Sequence, residues 1–127
     1  MAQPRVGPMS EAEIQAAGML LIGARADCRA FRMNIGRARD PRSGRVIQFG
    51  VRGMSDLLIM IRGGAILWLE VKSATGRLSR EQINFRNLCT EMGHFYRVAR
   101  SPHDFVLFLE EVLNANIRLR PQESTGQ

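Results

Sequence analysis

The sequence predicts an α/β domain: a mixed central sheet with helices packed on it. Three observations carry this. Two amphipathic segments open on capping boxes, at Ser10 and Ser79. Between them lie alternating or apolar runs of strand length, two of them joined by Arg62-Gly63-Gly64. A further short strand pattern, His94 to Ala99, follows the second helix, so it joins the sheet after a crossover.

Taken in order, Ser10 with Glu13 three residues on predicts a first helix whose hydroxyl and carboxylate exchange bonds with the two backbone amides. Ile14, Ala17, Gly18, Leu21 and Ile22 then form one apolar stripe to about Ala24. Cys28 to Met33 reads as a short strand. Residues 34 to 53, rich in Gly, Arg and Pro, read as a long loop or a hairpin with Val46 to Phe49 extended. Asp56 to Ile61 and Ala65 to Lys72 read as hairpinned strands. Ser79 caps a second helix that runs to about Met92 and stops at Gly93, and a last helix runs from Ser101 or Pro102 to Asn114. The expected organisation is a loose segment over 1–9, one domain over 10–117 and a polar tail over 118–127.

Composition narrows the function classes. At 127 residues the chain can bury a core without disulfide or metal staples. No apolar run reaches the roughly 18 residues of a membrane span. Met1 to Pro8 lacks a signal-peptide plan, so a cytoplasmic setting is expected. Cys28 and Cys89 are far apart and in no metal-ligand spacing, which predicts reduced, buried thiols. His94 and His103 are isolated, and a closed Cys/His metal site is excluded.

Charge is concentrated. All but one of the 18 basic residues are arginine, and the exception is Lys72. Eight arginines between Arg25 and Arg52 face only Asp27 and Asp40, so this quarter of the chain holds the whole net charge of +6. Such a field captures polyanions, and nucleic acid is the expected partner. Arg32, Asn34, Arg37, Arg39 and Arg45 are the expected DNA contacts.

The chemistry-bearing residues close the two hairpin strands. Alternation puts Ile66, Trp68, Glu70 and Lys72 on one face and Leu67, Leu69 and Val71 on the other. A Glu-x-Lys triplet alone is equally well explained by an ion pair at a frayed strand end. Asp56 changes the balance through register. A three-residue loop, Arg62 to Gly64, pairs Ile61 with Ala65 and therefore Asp56 with Glu70 on the same face, whereas a two-residue loop turns Asp56 away. The two glycines supply the positive φ that three-residue loops need, so the odd loop is expected. Two carboxylates then meet one ammonium, a pattern suited to a hard cation. Glu11 projects beside the apolar stripe of the first helix and is a candidate site residue. Gln82 is another, although Ser79-x-x-Gln82 is also a capping box.

These residues resemble the virus-type replication-repair nuclease (VRR-NUC) family of the PD-(D/E)xK nuclease superfamily. The likeness rests on Gly53-Met54-Ser55-Asp56, on Leu69-Glu70-Val71-Lys72-Ser73 and on Gly76-Arg77-Leu78-Ser79-Arg80-Glu81-Gln82. The opening Glu-x-x-Ile helix and the Arg-x-Asn-x-Gly segment at Arg32 to Gly36 extend it from Ser10 to about Leu113. The family often carries Pro before the first acid; Ser55 stands there in this chain.

The resemblance implies a restriction-endonuclease-like core, α-β-β-β-α-β plus a C-terminal helix. It implies an Mg2+- or Mn2+-dependent DNA endonuclease in which Asp56, Glu70 and the Val71 backbone carbonyl hold the metal. Glu11 would hold a metal-bound water, Lys72 would orient the attacking water, and Gln82 would position Lys72 or a phosphate. It further implies a homodimer cutting branched DNA such as four-way junctions, in phage replication, recombination or repair. Two other readings stand beside it: a DNA-binding module that kept the fold without catalysis, and a nuclease for flaps or nicked duplex.

Overall fold

The computed structural model describes residues 7–33, 36–49 and 51–119. Its elements run α1 (Glu11–Gly23), β1 (Cys28–Arg32), β2 (Gly36–Arg39), β3 (Val46–Phe49), β4 (Leu57–Ile61), β5 (Ile66–Val71), α2 (Arg80–Glu91), β6 (Phe95–Ala99) and α3 (Pro102–Leu119). Four strands form one sheet in the order β1-β4-β5-β6, and β2 pairs with β3 in a separate two-stranded ribbon. The pairs β1–β4 and β4–β5 are antiparallel and β5–β6 is parallel, with α2 as the crossover. The fold is therefore mixed α/β, and residues 34 to 53 contain the hairpin rather than the plain loop.

Both helix starts follow their sequences. Ser10 accepts the Glu13 amide and Glu13 accepts the Ser10 amide, and Ser79 and Gln82 repeat the exchange on α2. Gly93, at φ +81°, follows the end of α2, where a left-handed turn favours glycine. The last helix is longer than its expected end at Asn114. It continues through Ala115 to Leu119, two residues beyond the 117 domain boundary. No helix breaker occurs in the sequence before Pro121, so nothing local stops it at Asn114.

Alternation on β5 sorts the core into two layers. Leu67, Leu69 and Val71 join Leu57, Ile59, Ile14, Ile22, Phe105, Leu109 and Val112 beneath α1 and α3. The opposite face is thinner: Phe85, Cys89 and Tyr96 pack with Met54, Trp68, Leu78 and Val98 under α2. The seam of α1 is narrower than its sequence stripe. Ile14, Gly18 and Ile22 are buried, whereas Leu21 stays 52% exposed. Gly18 sets this seam, because a β-carbon there would lie 2.4 Å from the Phe105 ring. Close approach at one glycine lets α1 rest on α3 along an i, i+4, i+8 line.

The thiols are free, with Cys89 buried but Cys28 only partly so. His94 is structural, its Nδ1 accepting the Trp68 indole N–H at 3.0 Å. Among the described residues, no helix is long and apolar enough to cross a membrane.

Candidate active site

The β4–β5 turn sets the site. Ile61 donates to the Ala65 carbonyl at 3.0 Å across the three-residue loop, and Gly63 and Gly64 take φ of +100° and +104°. The strands then pair Leu57 with Leu69 and Met60 with Ile66, so the next step outward sets Asp56 opposite Glu70. This is the odd-loop register expected from the sequence. Asp56 is held from several sides. Its carbonyl accepts the Met33 amide at 2.8 Å, and its Oδ2 accepts the Val71 amide at 2.8 Å. Ser55, fully buried before it, donates its hydroxyl to the Leu57 carbonyl at 3.1 Å.

Glu70 is 3% exposed. Its Oε1 accepts the Gln82 side-chain amide at 3.1 Å, and its Oε2 is buried with no donor among the described residues. The neighbouring Asp56 carboxyl disfavours the charged form of Glu70. Burial first, then Asp56, pushes the Glu70 carboxyl up to about 9. Lys72 opposes this rise and Glu11 adds to it. A buried carboxyl with an unserved oxygen is an expensive arrangement, of the kind found where charge is wanted for a ligand.

Gln82 does two things at once. Its Oε1 accepts the Ser79 amide at 2.8 Å to close the helix cap, and its Nε2 reaches Glu70. It therefore braces an acid, where the resemblance implied that it positions Lys72 or a phosphate. Lys72 is half-buried, and its amide donates to Ala99 at 2.9 Å. Its aliphatic stem lies along the Ser73–Gly76 turn, where a β-carbon on Gly76 would sit 3.4 Å from Lys72 Cδ. Arg100 clamps that turn, donating to the Ser73 and Gly76 carbonyls at 2.8 and 2.7 Å. None of the ion pairs among the described residues includes Asp56, Glu70 or Lys72.

Asp56 and Glu70 open onto a cleft of about 460 Å³ whose wall includes Met33, Arg52, Gly53, Ser79, Glu81 and Gln82. Lys72 and Glu11 are not part of that wall. Glu11 is an exposed first-turn residue that acts on Glu70 through its field, while the Glu13 carboxylate lies on the Ser10 amide. Val71 meets Asp56 through its amide. Among the described residues no group of three or more His, Cys, Asp or Glu converges. Glu81 also lines the cleft, but Asp56 and Glu70 are the acids that stand opposite each other across the strands, and such a pair fits a hard cation that fills its remaining positions with oxygens from water or phosphate.

Arg52, Gly53 and Arg100 are not singled out by the sequence as site residues. Gly53, at φ +78°, lies so close to α2 that a β-carbon would stand 2.1 Å from the Glu81 carbonyl oxygen. Gly-Met-Ser-Asp is a visible motif, but only the fold reveals that its glycine seats the start of α2. Of the expected DNA contacts, Arg39 and Arg45 are exposed on the ribbon, and Arg32 lines a separate hollow with Ala12, Gln15, Ala16 and Met19. Arg37 occupies a ribbon position opposite Gln48, its side chain being outside the described residues, as is the whole of Asn34. No protein-family model matches this chain, and neither the curated proteins nor the solved structures contain a match.

Proposed function

We propose that this chain is a divalent-metal-dependent DNA endonuclease of the VRR-NUC type, built on a PD-(D/E)xK core and selective for branched DNA. The observation that carries this reading is the pair formed by half-buried Asp56 and buried Glu70, meeting in register at a polar cleft with Lys72 near enough for its charge to act on Glu70. Two carboxylates facing a phosphate would repel it, so a pure binder gains nothing from them. The pair fits Mg2+ or Mn2+, for which it is the natural seat.

A divalent cation held there supplies charge neutralisation on the phosphodiester and a lowered pKa for its bound water. The chain's own groups do the rest. Asp56 is fixed by the Val71 amide and Glu70 by the Gln82 amide, so both acids are oriented before substrate arrives. Lys72 brings positive charge to the place where the phosphate gains negative charge, and its compact ammonium suits a single oxygen. Glu11 adds negative field that favours a cation. One such site cuts one strand, so paired cuts on a junction call for a homodimer with two-fold symmetry.

The test is cleavage of four-way junction, flap, nicked duplex and single-stranded DNA with magnesium or manganese, wild type beside Glu70→Gln and Lys72→Ala. Metal-dependent cutting that both substitutions abolish is expected, with the junction cut fastest. Cutting retained by both variants removes the site. Metal-dependent binding without cutting by the wild type replaces the enzyme with a binding module, and preference for flaps or nicks replaces the junction.

A further inference from the structure

The ribbon formed by β2 and β3 is inserted between two strands of the main sheet, at the site's end of that sheet. The chain leaves the sheet beyond Arg32 and returns at Val51 to Ser55, just before Asp56. Met33 and Arg52, on either side of the insertion, both line the carboxylate cleft. The ribbon therefore springs from the rim of the cleft, and among the described residues β2 pairs with β3 alone.

Its tip is built to present arginine. The one acid there, Asp40, is consumed by the turn: Oδ1 accepts the Arg42 amide at 3.0 Å and Oδ2 accepts the Ser43 hydroxyl at 2.9 Å. Asp40 also exchanges backbone bonds with Arg45 and Gly44 at 2.8 Å, and Gly44 takes φ +72° to close the turn. With Asp40 so occupied, no ion pair among the described residues neutralises Arg39, Arg42 or Arg45, and all three are exposed. Arg39 makes one long hydrogen bond, 3.5 Å, to the Gly44 carbonyl.

Dimensions choose the seat. A two-stranded ribbon has strands about 4.8 Å apart, and with side chains it fills a groove of roughly 12 Å but not one of about 6 Å, the major and minor grooves of B-DNA. Single strands are a poorer fit, since stacking platforms need successive aromatics and the ribbon contains only Phe49. We propose that the β2–β3 ribbon docks in the major groove of duplex DNA and, with Arg39, Arg42 and Arg45 on the phosphates flanking that groove, holds the duplex against the Asp56–Glu70 cleft.

This deepens the nuclease reading and rests on it for the cleft's role, but its test is independent of catalysis. The full chain is titrated onto labelled duplex in EDTA at several salt concentrations. Replacing Arg39, Arg42 and Arg45 together by Ala lowers the log–log salt slope by about 2 to 3, because each phosphate left without its cation removes about 0.9 from that slope. The triple Lys variant, which keeps the charge, holds the wild-type slope. A duplex whose major groove is filled by glucosylated cytosines binds the wild type at least about tenfold more weakly, since a base-edge obstacle blocks a seated ribbon.

An unchanged slope in the triple Ala variant overturns the inference, as does a triple Lys variant no better than triple Ala. Full binding to the filled groove overturns it too. If Glu70→Gln still cuts DNA while the ribbon results hold, the catalytic reading fails and the docking role stands.

Discussion

Acids lie beside both ends of the β4–β5 hairpin, and the two ends treat them in opposite ways. Beside the turn, Arg25 bridges Asp27 and Glu110, each at 2.8 Å, and Arg62 donates to the Ala26 carbonyl at 2.9 Å. The Arg25 hydrogen bond holds the Asp27 carboxyl below its ordinary range. At the open end no ion pair among the described residues includes Asp56 or Glu70, and Glu70 is pushed up to about 9. One end spends its charges on structure, and the other keeps an acid buried and an oxygen unserved. A chain that places arginines so freely could have neutralised Glu70 with one of them. That it is left unpaired marks this end as a seat for something outside the chain.

The sharpest way to break this contrast is to remove the open-end groups. Glu70→Gln and Lys72→Ala each lower the cleavage rate by about 10²–10³-fold, the usual cost of losing one preorganised electrostatic partner. Asp27→Asn leaves the rate within about twofold of wild type, because exposed pairs contribute about 1 kcal/mol or less. Single-turnover cleavage of one junction substrate measures all three. If Asp27→Asn is as damaging as Glu70→Gln, the two ends do not differ in function.

Gly53→Ala tests what holds the open end together. Alanine at φ +78° costs about 1–3 kcal/mol in backbone strain. Its β-carbon must also push the Glu81 carbonyl away, which moves the first turn of α2 and with it Gln82. Thermal melting of the metal-free chain should fall by several degrees, and cleavage should fall further than Gln82→Ala alone. A variant that melts and cuts like wild type shows that this close approach is not needed.

Acidity separates the two ends by sign. In the unfolded chain Glu70 titrates near its ordinary 4.5, and in the folded chain near 9. Between these values the folded state keeps a proton that the unfolded state has released, so metal-free stability declines as pH rises from about 4.5 toward 9. Glu70→Gln removes this decline, so the variant gains on the wild type at pH 8 more than at pH 5 when melted in EDTA. Equal gains at both pH values would mean that Glu70 is already ionised in the fold.

How much of this was legible in the sequence depends on how local each feature is. The register that sets Asp56 against Glu70 follows from a three-residue loop and two glycines, all within one hairpin, and both capping boxes follow from four-residue spacings. The mixed α/β class likewise follows from element order. Tertiary approach was not legible. Nothing near Gly53 announces Glu81, nothing near Arg100 announces the Ser73–Gly76 turn, and periodicity alone could not divide the stripe of α1 into buried Ile22 and exposed Leu21. Gln82 shows the limit well. Its capping spacing was visible, yet a side-chain amide has two ends, and only the fold reveals that the second end meets Glu70.

The smallest expected effect is at the turn end, and its sign completes the contrast. Arg25 lowers the Asp27 carboxyl, so the pair stabilises the fold above the ordinary carboxylate range near 3.8 and stops doing so as pH falls through and below it. Asp27→Asn therefore lowers the melting temperature slightly at pH 6, and by progressively less as pH falls below the ordinary carboxylate range. Added salt should shrink the difference, since both partners are about a third exposed, at 28% and 33%. Stability is lost toward acid at this end and toward alkali at the other. Two pH profiles of opposite slope, each erased by its own single substitution, would show that a structural acid lies beside the hairpin turn and a reserved one at its open end. A salt-insensitive Asp27→Asn defect that does not shrink toward acid would instead assign Asp27 to packing, and the contrast would then rest on Glu70 alone.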